Sequence, residues 1–328
     1  MKTKAAVIGL GIGKAHAAVY AARDDVELAG LVDLDEAKLK EAAARTPAPV
    51  FTDVESMLQR ARPDVVSICT PPHLHLPNAR RCIEAGAHVL VEKPLAATAA
   101  ECRELALLGG NADRVLMVAQ KKRFIEPMVF LKRRIGDDWG SIRTASALYW
   151  LGRVELDWFW KNEQGGGPMV ENSVHMVDAL RFLIGEVRTV YAAGGNFFMP
   201  ARAPVPDCAA VTLTFASGAV ASLALGYGSE WGFATERLAF ATEKATGELS
   251  GRFDAPVLLR WAPRGAPGEG EKKEFASPPG FPEEIEAFLK AVRGEAPNPV
   301  TASDAARSID VCLAIRESIR TQAPVAVG

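Results

Sequence analysis

The stretch "VIGLGIGKAH", Val7 to His16, decides the fold of the first part of the chain. Its glycines, Gly9, Gly11 and Gly13, follow an apolar run and precede a helix-like segment, and a second apolar run ends at Asp33. A strand, a glycine-rich turn, a helix and a second strand ending in a carboxylate are the parts of a dinucleotide-binding βαβ unit. The third glycine lies one position earlier than the G-x-G-x-x-G pattern requires, so the stretch predicts a variant of this loop.

The residues of this loop have distinct predicted roles. Gly9 is expected to make the tight turn, and Gly11 to let the backbone approach the pyrophosphate of the cofactor. Gly13 or Ala15 would supply the small residue that allows the helix to pack against the strand. Ile12, between the last two glycines, completes the set of loop residues predicted to contact the cofactor.

Asp33 indicates which dinucleotide is bound. A carboxylate at the end of the second strand accepts hydrogen bonds from the ribose hydroxyls of NAD and repels the 2′-phosphate of NADP. The next residues are Leu34 and Asp35, so no basic side chain follows at once to bind that phosphate. NAD is therefore predicted, and NADP is the less favoured cofactor. The alternative role of Asp33 is to cap the helix that follows.

Apolar runs divide the chain into two differently organised parts. Five runs in the first 120 residues alternate with helix-like segments: "AAVIGL", "ELAGLVD", "VVSICT", "HVLVEK" and "VLMVAQ". Their continuous apolarity predicts a Rossmann domain with a doubly wound parallel sheet. The later strand-like runs cluster with few helices, which predicts an α+β domain with an open, largely antiparallel sheet. The predicted fold is α/β, with an NAD-binding domain over 1–121 and a substrate-binding and oligomerisation domain over 122–328.

The second part has its own predicted elements. Strands are expected at 187–198, 209–226, 236–250 and 256–262, and helices at 127–135, 283–293 and 303–320. The section 263–282, rich in proline, glycine and charge, is predicted to be a loop. Cys208–Ser229 is long enough without charge to span a bilayer, but Ser217-Gly218 divides it into two alternating halves. This pattern predicts a hairpin.

Composition and charge exclude several classes of function. The formal net charge of −2 creates no long-range field that would attract nucleic acid or an anionic membrane. The five cysteines show no C-x-x-C or Cys/His ligand spacing, so no metal site is predicted. Their scattered positions and odd number also indicate a reduced, cytoplasmic protein. A small neutral or anionic molecule is the expected ligand.

Further motifs carry a resemblance to a known family. "CTPPHLH", Cys69 to His75, is followed by "HVLVEKPLA", by "QKKRF" and by "WKNEQGGGPMVENSVHMVD", Trp160 to Asp178. In this combination nearly the whole chain resembles the glucose-fructose oxidoreductase / inositol dehydrogenase / rhizopine catabolism protein family. The resemblance implies a Rossmann domain and a second domain whose open sheet often forms the oligomer interface. It also implies hydride transfer between a nicotinamide cofactor and a hydroxyl or carbonyl group of a sugar, polyol or derivative.

The resemblance assigns further cofactor-binding positions. Thr70, Pro71 and His75 match the loop near the nicotinamide half of the cofactor. Glu92-Lys93-Pro94 matches the E-K-P motif, whose Lys-Pro peptide is typically cis and whose lysine reaches the reacting oxygen. Because this motif follows an apolar strand, we expect it at the carboxyl edge of the sheet, where ligands of doubly wound folds bind.

The glycine-rich motif predicts a helix that carries catalytic side chains. Pro168 suits the first helical turn and Gly185 suits the end of the helix. The spacing of Glu171, His175 and Asp178 places all three on adjoining parts of one helix face. Asp178 either holds the imidazole ring of His175 or forms a structural pair within the helix.

Two side chains carry the predicted chemistry, one as a general base and the other as a cation that stabilises negative charge. His175 is the natural general base, since an imidazole ordinarily titrates near neutrality. By resemblance to the family, it takes the hydroxyl proton while hydride leaves the same carbon for the nicotinamide. Lys93 stabilises the developing alkoxide and orients the hydroxyl.

Glu171 and Ser173 depart from the pattern of the family. Members with the Lys/Asp/His set have aspartate where this chain has Glu171, and commonly glycine where it has Ser173. One extra methylene moves a carboxylate by more than about 1 Å, which is enough to affect the orientation of a substrate. Glu171 remains a predicted catalytic residue that orients the substrate and pairs with Lys93.

Two more residues match family positions near the pocket. Arg123 supplies a cation that suits a polyhydroxy or carboxylated substrate, and its alternative role is that of a surface arginine. Trp160 is either a substrate contact or an aromatic residue at the edge of the core. The predicted substrate-binding residues are Lys93, Arg123, Trp160, Glu171 and His175.

Three functions are compatible with these residues. The leading prediction is an NAD(P)-dependent dehydrogenase acting on a secondary alcohol of a sugar, inositol or related polyol. The alternatives are a redox-neutral glycosidase that retains NAD, and a non-catalytic ligand sensor that binds a dinucleotide. A homodimer or homotetramer is expected, with Ala209–Gly228 as the interface.

Overall fold

The computed structural model describes residues 2–152, 154–227, 235–251, 256–265, 268, 270–276 and 280–328. The chain forms two compact units. The first comprises residues 1–120 and 281–306, and the second comprises residues 121–280 and 307–328.

The first unit is built on a parallel sheet. Its strands are β1 (Thr3–Ile8), β2 (Val26–Val32), β3 (Val50–Phe51), β4 (Val65–Ile68), β5 (His88–Glu92) and β6 (Leu116–Ala119). The strand order is β3-β2-β1-β4-β5-β6, and each neighbouring pair is parallel. All residues of β4 are buried, as the continuous apolar runs predict. This order confirms the doubly wound Rossmann sheet, whose switch point lies between β1 and β4.

Five helices connect these strands. They are α1 (Gly13–Ala21), α2 (Glu36–Arg45), α3 (Val54–Ala61), α4 (His75–Glu84) and α5 (Ala99–Asn111). Side chains of Asp35, Asp53 and Thr98 accept backbone N–H groups at the starts of α2, α3 and α5. These bonds stabilise each helix by satisfying N–H groups that have no partner within it.

The second unit contains an open mixed sheet. Its strands are β7 (Ile142–Leu151), β8 (Val187–Gly195), β9 (Cys208–Phe215), β10 (Val220–Tyr227), β11 (Thr235–Thr242), β12 (Ala245–Gly251), β13 (Val257–Pro263), β14 (Glu271–Phe275) and β15 (Val325–Ala326). Their order is β14-β13-β12-β11-β7-β10-β9-β8-β15. Neighbours are antiparallel except β7 and β10, which confirms a largely antiparallel sheet.

The helices predicted at 127–135, 283–293 and 303–320 are confirmed, and the α-helix predicted from Pro168 begins only at Val174. They are α6 (Glu126–Arg134), α7 (Val174–Ile184), α8 (Phe281–Val292) and α9 (Ala302–Thr321). Helix α8 packs against α1 and belongs to the first unit, and the boundary between the units falls within α9. Because residues 281–306 belong to the first unit, the two units differ from the predicted domains 1–121 and 122–328.

The hairpin predicted within Cys208–Ser229 is confirmed. Strands β9 and β10 pair antiparallel, and the turn between them contains Gly218 at a φ of +82°. The last two residues of that segment lie outside the described residues. Among the residues described, no helix has the length and apolar character needed to cross a bilayer.

Two strand predictions are wrong in detail. The section 263–282 is not entirely a loop, because β14 lies within it and pairs with β13. Its sequence "EKKEF" lacks an apolar run, and charged residues of this kind are common on edge strands, where they oppose further pairing. The run 236–250 is two strands, β11 and β12, which pair antiparallel around Glu243 and Lys244.

Candidate active site

The glycine loop has the backbone geometry of a dinucleotide cradle. Gly9 has a φ of +89°, and a Cβ there would lie 2.6 Å from the carbonyl oxygen of Cys69. A Cβ on Gly13 would lie 2.9 Å from Cγ1 of Val7, so Gly13, rather than Ala15, allows α1 to approach β1. Beside Gly11 nothing lies within 4 Å of a built Cβ among the described residues. The loop therefore leaves open space at the position predicted for the pyrophosphate.

The first turn of α1 is suited to an anion. Among the residues that the structure describes, no side chain caps this helix at Ile12, which is 47% exposed, whereas Asp35, Asp53 and Thr98 cap α2, α3 and α5. The N–H groups at the start of a helix lack partners within it and bind phosphate groups readily. The Gly9–Gly13 loop and the start of α1 thus fit the pyrophosphate of a dinucleotide.

Asp33 is held at the end of β2 by backbone groups. Its Oδ2 accepts the N–H of Leu10 in the glycine loop at 2.8 Å, and its Oδ1 accepts the N–H of Asp35 at 3.0 Å. The residue that caps α2 is Asp35, which accepts the N–H groups of Ala37 and Lys38. The capping alternative for Asp33 is therefore excluded, and its carboxylate lies against the loop it is predicted to serve.

The loop after β4 contains a buried polar group that fits a ligand. The hydroxyl oxygen of Thr70 is buried and has no hydrogen-bond partner among the described residues. Pro71 precedes a short helical turn that leads into α4. His75 is fully buried, with Nε2 2.8 Å from the carbonyl oxygen of Thr70 and Nδ1 3.1 Å from that of Leu95. His75 thus supports the Thr70 loop, and direct contact with the cofactor stays a prediction for it.

Burial controls the charge of His75. The two carbonyl oxygens and Glu92 favour a protonated ring, but the removal of the ring from water outweighs them and lowers the pKa of His75. A neutral imidazole donates from one nitrogen only, and the shorter distance, to Thr70, indicates that Nε2 carries the hydrogen.

The E-K-P turn leaves the same edge of the sheet. Ile8 at the end of β1 pairs with Ile68 at the end of β4, and Ile68 pairs with Val91 of β5. The glycine loop, the Thr70 loop and Glu92-Lys93-Pro94 therefore emerge side by side at the carboxyl edge. The Lys93–Pro94 peptide is cis.

In the second unit the predicted helix is divided into two parts. Pro168–Asn172 forms a π-helical turn, and the α-helix α7 begins only at Val174. The N–H and the hydroxyl of Ser173 both donate to the carbonyl oxygen of Pro168, each at 3.0 Å. Glu171 therefore lies in the wide turn and not on a regular helix with His175. The spacing of one α-helix does not apply across this break.

Two tyrosines interact with the catalytic candidates of this unit. The ring of Tyr149 on β7 lies 6.4 Å from the ring of His175, measured between centroids. Burial raises the pKa of Tyr149 well above its ordinary value, and the charges of Glu236 and Glu171 raise it further. Burial also raises the pKa of Tyr227, and the charge of Glu171 adds to this effect. Both phenol groups therefore stay protonated, and both interact electrostatically with Glu171.

Asp178 pairs with an arginine. Its Oδ2 accepts a hydrogen bond from Nε of Arg123 at 2.8 Å, and its Oδ1 accepts one from Nη2 of the same residue at 2.6 Å. Oδ1 also accepts a hydrogen bond from the hydroxyl of Ser308 at 2.9 Å. Asp178 is 1% exposed, so this bidentate ion pair is buried. These contacts favour the structural role of Asp178 over the orientation of His175. They also hold the guanidinium of Arg123 in place, and its contact with substrate stays a prediction.

Trp160 lies in a cluster of aromatic residues. Its ring packs against Phe159 and Tyr227, with centroids 5.4 and 5.3 Å away. Its indole N–H donates to the carbonyl oxygen of Val154 at 2.8 Å. Trp160 is therefore a core residue at 5% exposure, and a substrate contact stays a prediction for it.

Sequence reasoning missed three residues that lie beside the predicted ones. Tyr227 ends β10 and Tyr149 lies two residues before the end of the adjacent parallel strand β7, and this long-range pairing of β7 with β10 cannot be read from local patterns. His16 on α1 contacts Glu92 of the E-K-P motif, with 3.1 Å between Nε2 and Oε1. Its place three residues after Gly13, facing the sheet, is the signal that could have identified it.

Comparison with known proteins agrees with this geometry. Residues 3–120 match the family described as "Oxidoreductase family, NAD-binding Rossmann fold", and residues 133–246 match the "GFO/IDH/MocA C-terminal domain". The chain is 34% identical to D-glucoside 3-dehydrogenase of Escherichia coli over 192 residues, which are 56% of this chain and 54% of that protein. The match thus spans about half the length of that relative.

Other relatives match nearly the whole chain at lower sequence identity. The rhizopine catabolism protein MocA of Rhizobium meliloti is 25% identical over 95% of this chain and 93% of its own length. A structure of levoglucosan dehydrogenase in complex with NADH has a TM-score of 0.87 at 24% identity, with all of both chains covered, and this likeness shows the fold. The chain belongs to the GFO/IDH/MocA oxidoreductase family, and its N-terminal domain is an NAD-binding Rossmann domain.

Proposed function

We propose that this oxidoreductase transfers a hydride between a secondary alcohol of a sugar, inositol or related polyol and NAD. The observation that carries the proposal is the position of Lys93 in the turn after β5, beside the glycine loop at the carboxyl edge of the Rossmann sheet. The glucoside dehydrogenase and MocA relatives support a polyhydroxylated substrate.

The proposed cofactor residues are those of the three neighbouring loops. Gly9, Gly11, Ile12 and Gly13 hold the pyrophosphate, and Asp33 accepts the ribose hydroxyls. The loop of Thr70, Pro71 and His75 and the turn of Glu92, Lys93 and Pro94 hold the nicotinamide half. NAD, when bound, supplies the carbon that accepts the hydride.

The chain itself supplies the acid-base and electrostatic parts of the reaction. In the direction of oxidation, His175 accepts the proton of the substrate hydroxyl. The C–H bond of the carbon that bears this hydroxyl breaks at the same time, and the carbonyl group forms. The ammonium group of Lys93 stabilises the negative charge that develops on that oxygen. Glu171 accepts hydrogen bonds from neighbouring hydroxyls, and Arg123 and Trp160 line the substrate site.

The experiment is the formation of reduced cofactor from NAD, and separately from NADP, with a panel of inositols, aldoses, glycosides and sugar acids. Lys93→Met removes the ammonium group with little change in length and is the control. We expect an NAD-dependent signal that the variant loses. Release of an aglycone without accumulation of reduced cofactor would indicate the glycosidase. Tight NAD binding without any turnover would indicate the sensor.

We also propose that the chain forms a homodimer or homotetramer through one face of the second unit's sheet. Trp150, Tyr191 and Val220, on β7, β8 and β10, are 46%, 45% and 46% exposed in the single chain. Large apolar side chains on one sheet face mark a surface that a second copy can bury. The predicted interface Ala209–Gly228 belongs to this face, although Gly228 lies outside the described residues.

Size-exclusion chromatography with light scattering tests the assembly. The native chain is expected to elute as an oligomer, and Trp150→Glu should shift it towards the monomer because a charge would be buried at the interface. A monomeric native chain would contradict the proposal.

A further inference from the structure

His16 occupies the centre of a buried polar chain in the first unit. Its side chain is fully buried, and its Nδ1 lies 3.1 Å from the hydroxyl oxygen of Ser67. That hydroxyl lies 2.9 Å from the hydroxyl of Tyr20, which is fully buried as well. On the other side of the ring, Nε2 lies 3.1 Å from Oε1 of Glu92. One imidazole thus connects α1, β4 and the end of β5.

The chain of contacts continues into the backbone of the lysine turn. Oε2 of Glu92 accepts the N–H of Lys93 at 2.9 Å. Glu92 is 6% exposed, so its carboxylate depends on protein donors rather than on water. One oxygen is directed to His16 and the other to the main chain of Lys93. The position of the carboxylate therefore sets the position of that peptide group.

Hydrogen-bond directions along this chain are mutually consistent. An ionised carboxylate only accepts, so Nε2 of His16 and the N–H of Lys93 are the donors to Glu92. Nδ1 can then accept the hydroxyl hydrogen of Ser67, whose oxygen accepts from Tyr20. The ring is also packed against Phe281, 5.4 Å away between centroids, in an edge-on arrangement. A packed ring whose two nitrogens both have partners has one defined orientation.

We propose that His16 is a positioning residue that holds Glu92, and through Glu92 the backbone of Lys93, in a fixed place relative to the glycine-loop helix. The proposal rests on the proposed function, in which Lys93 contacts the reacting oxygen. His16 touches neither substrate nor cofactor in this role. A displacement of about 1 Å in a group that contacts reacting atoms can cost about a hundredfold in rate.

Three variants separate this role from general stability. His16→Met fills the space but removes the donor to Glu92. His16→Gln places an amide N–H at about the distance of Nε2 and is the conservative variant expected to rescue. Tyr20→Phe removes a hydroxyl from the same buried chain but leaves the contact of His16 with Glu92, and it is the matched control.

The first readout is the amide resonance of Lys93 in protein labelled with 15N-lysine, assigned with Lys93→Arg. The resonance should shift in His16→Met, return towards its native position in His16→Gln, and stay in place in Tyr20→Phe. An unchanged resonance in His16→Met overturns the proposal. This readout needs no turnover, so it decides the role of His16 even where the wild-type chain oxidises no member of the panel and the proposed function fails.

The second readout is the kinetic split, measured with the best substrate together with NAD affinity and melting temperature. We expect the kcat of His16→Met to fall by about tenfold to a hundredfold, while its Kd for NAD stays within about threefold of the wild-type value. The kcat of His16→Gln should stay within about threefold of wild type. A parallel loss of melting temperature, NAD affinity and kcat, equal in Met and Gln variants, would show a structural role only and overturn the proposal. Should His16→Met not fold, His16→Asn, too short to reach Glu92, replaces it in both readouts.

Discussion

His16 and His75 are both fully buried in the first unit, but their partners give them different roles. The two ring nitrogens of His16 contact the side chains of Ser67 and Glu92, so it transmits position from one motif to another. His75 contacts two carbonyl oxygens, those of Thr70 and Leu95, so it supports loops. At the scale of single residues, the partners of a buried polar group decide what it contributes.

The stability of the fold should depend on pH through His75. Burial lowers its pKa, so below the ordinary value of 6.5 the unfolded chain binds more protons at this residue than the folded chain. Stability therefore falls as pH decreases through this value, by up to about 1.4 kcal/mol for each pH unit. Urea unfolding from about pH 7.5 to 5.5 measures the slope. His75→Gln should reduce it, while the neighbouring His73→Gln serves as control, and equal slopes in all three proteins would contradict the prediction.

Asp33 should decide the preference for NAD. Asp33→Asn keeps an acceptor for the N–H of Leu10 but removes the charge that we propose binds the ribose hydroxyls and repels a 2′-phosphate. We expect the KM for NAD to rise about tenfold, as loss of a charged hydrogen bond implies, and the KM for NADP to fall. Steady-state kinetics with both cofactors measures this. Asp35→Asn, which changes a helix cap two residues later, should leave the preference unaltered, and the same change in both variants would contradict the assignment.

At the scale of elements, Ser173 takes part in the π-helical turn before α7. Ser173 stands where glycine is common, and its hydroxyl and N–H both donate to the carbonyl oxygen of Pro168. The resulting wide turn moves Glu171 off the face of a regular helix. The longer side chain of glutamate and the wider turn occur together, so the position of its carboxylate depends on both.

Removal of the Ser173 hydroxyl should loosen this turn. Ser173→Ala is expected to cost about 1 kcal/mol of unfolding free energy and to lower kcat/KM several-fold because Glu171 is less well held. Urea unfolding and steady-state kinetics measure the two effects. Thr321→Ala, which removes a hydroxyl that donates to the carbonyl oxygen of Glu317 on the exposed end of α9, is the control for loss of such a bond. An unchanged kcat/KM in Ser173→Ala would contradict the prediction that this turn holds Glu171 in place for the reaction.

At the scale of the whole molecule, the chain completes its first unit with residues that come late in the sequence. Helix α8 packs against α1, and Arg293, just after α8, pairs with Asp25 at 3.0 Å. Arg23 pairs with Asp25 at 2.8 Å and with Glu286 of α8 at 2.8 Å, so it links the segment before β2 to α8. An ion network of this kind links segments that are distant along the chain.

This network should weaken in acid. The hydrogen bonds from Arg23, and then from Arg293, lower the pKa of Asp25 to about 2. Its contribution to stability is present above the ordinary value of 3.8 and is lost as pH falls towards about 2. Asp25→Asn should cost less than about 1 kcal/mol at neutral pH, since Asp25 is part-exposed, and the difference from wild type should vanish in acid. Thermal unfolding across this range measures it, with Asp24→Asn as control, and a difference that persists at low pH would contradict the prediction.

The local pattern of the sequence determined much of the fold and of the cofactor site. Continuous apolar runs, the glycine loop and Asp33 are short-range signals, because a strand, a turn and a helix there follow one another along the chain. The E-K-P turn is local as well, and its place at the carboxyl edge follows from the parallel order of the strands. The roles of Lys93, His175 and Glu171 came from the resemblance and stay proposals.

Only the tertiary structure decided which side chains lie together. It assigned Asp178 to Arg123 and Ser308, placed the ring of Tyr149 near that of His175, and connected His16 to Glu92. It also returned α8 to the first unit and placed the charged strand β14 at a sheet edge. These pairings join residues that are far apart in sequence. They depend on strand register and on packing between elements, which the period of a single segment does not encode.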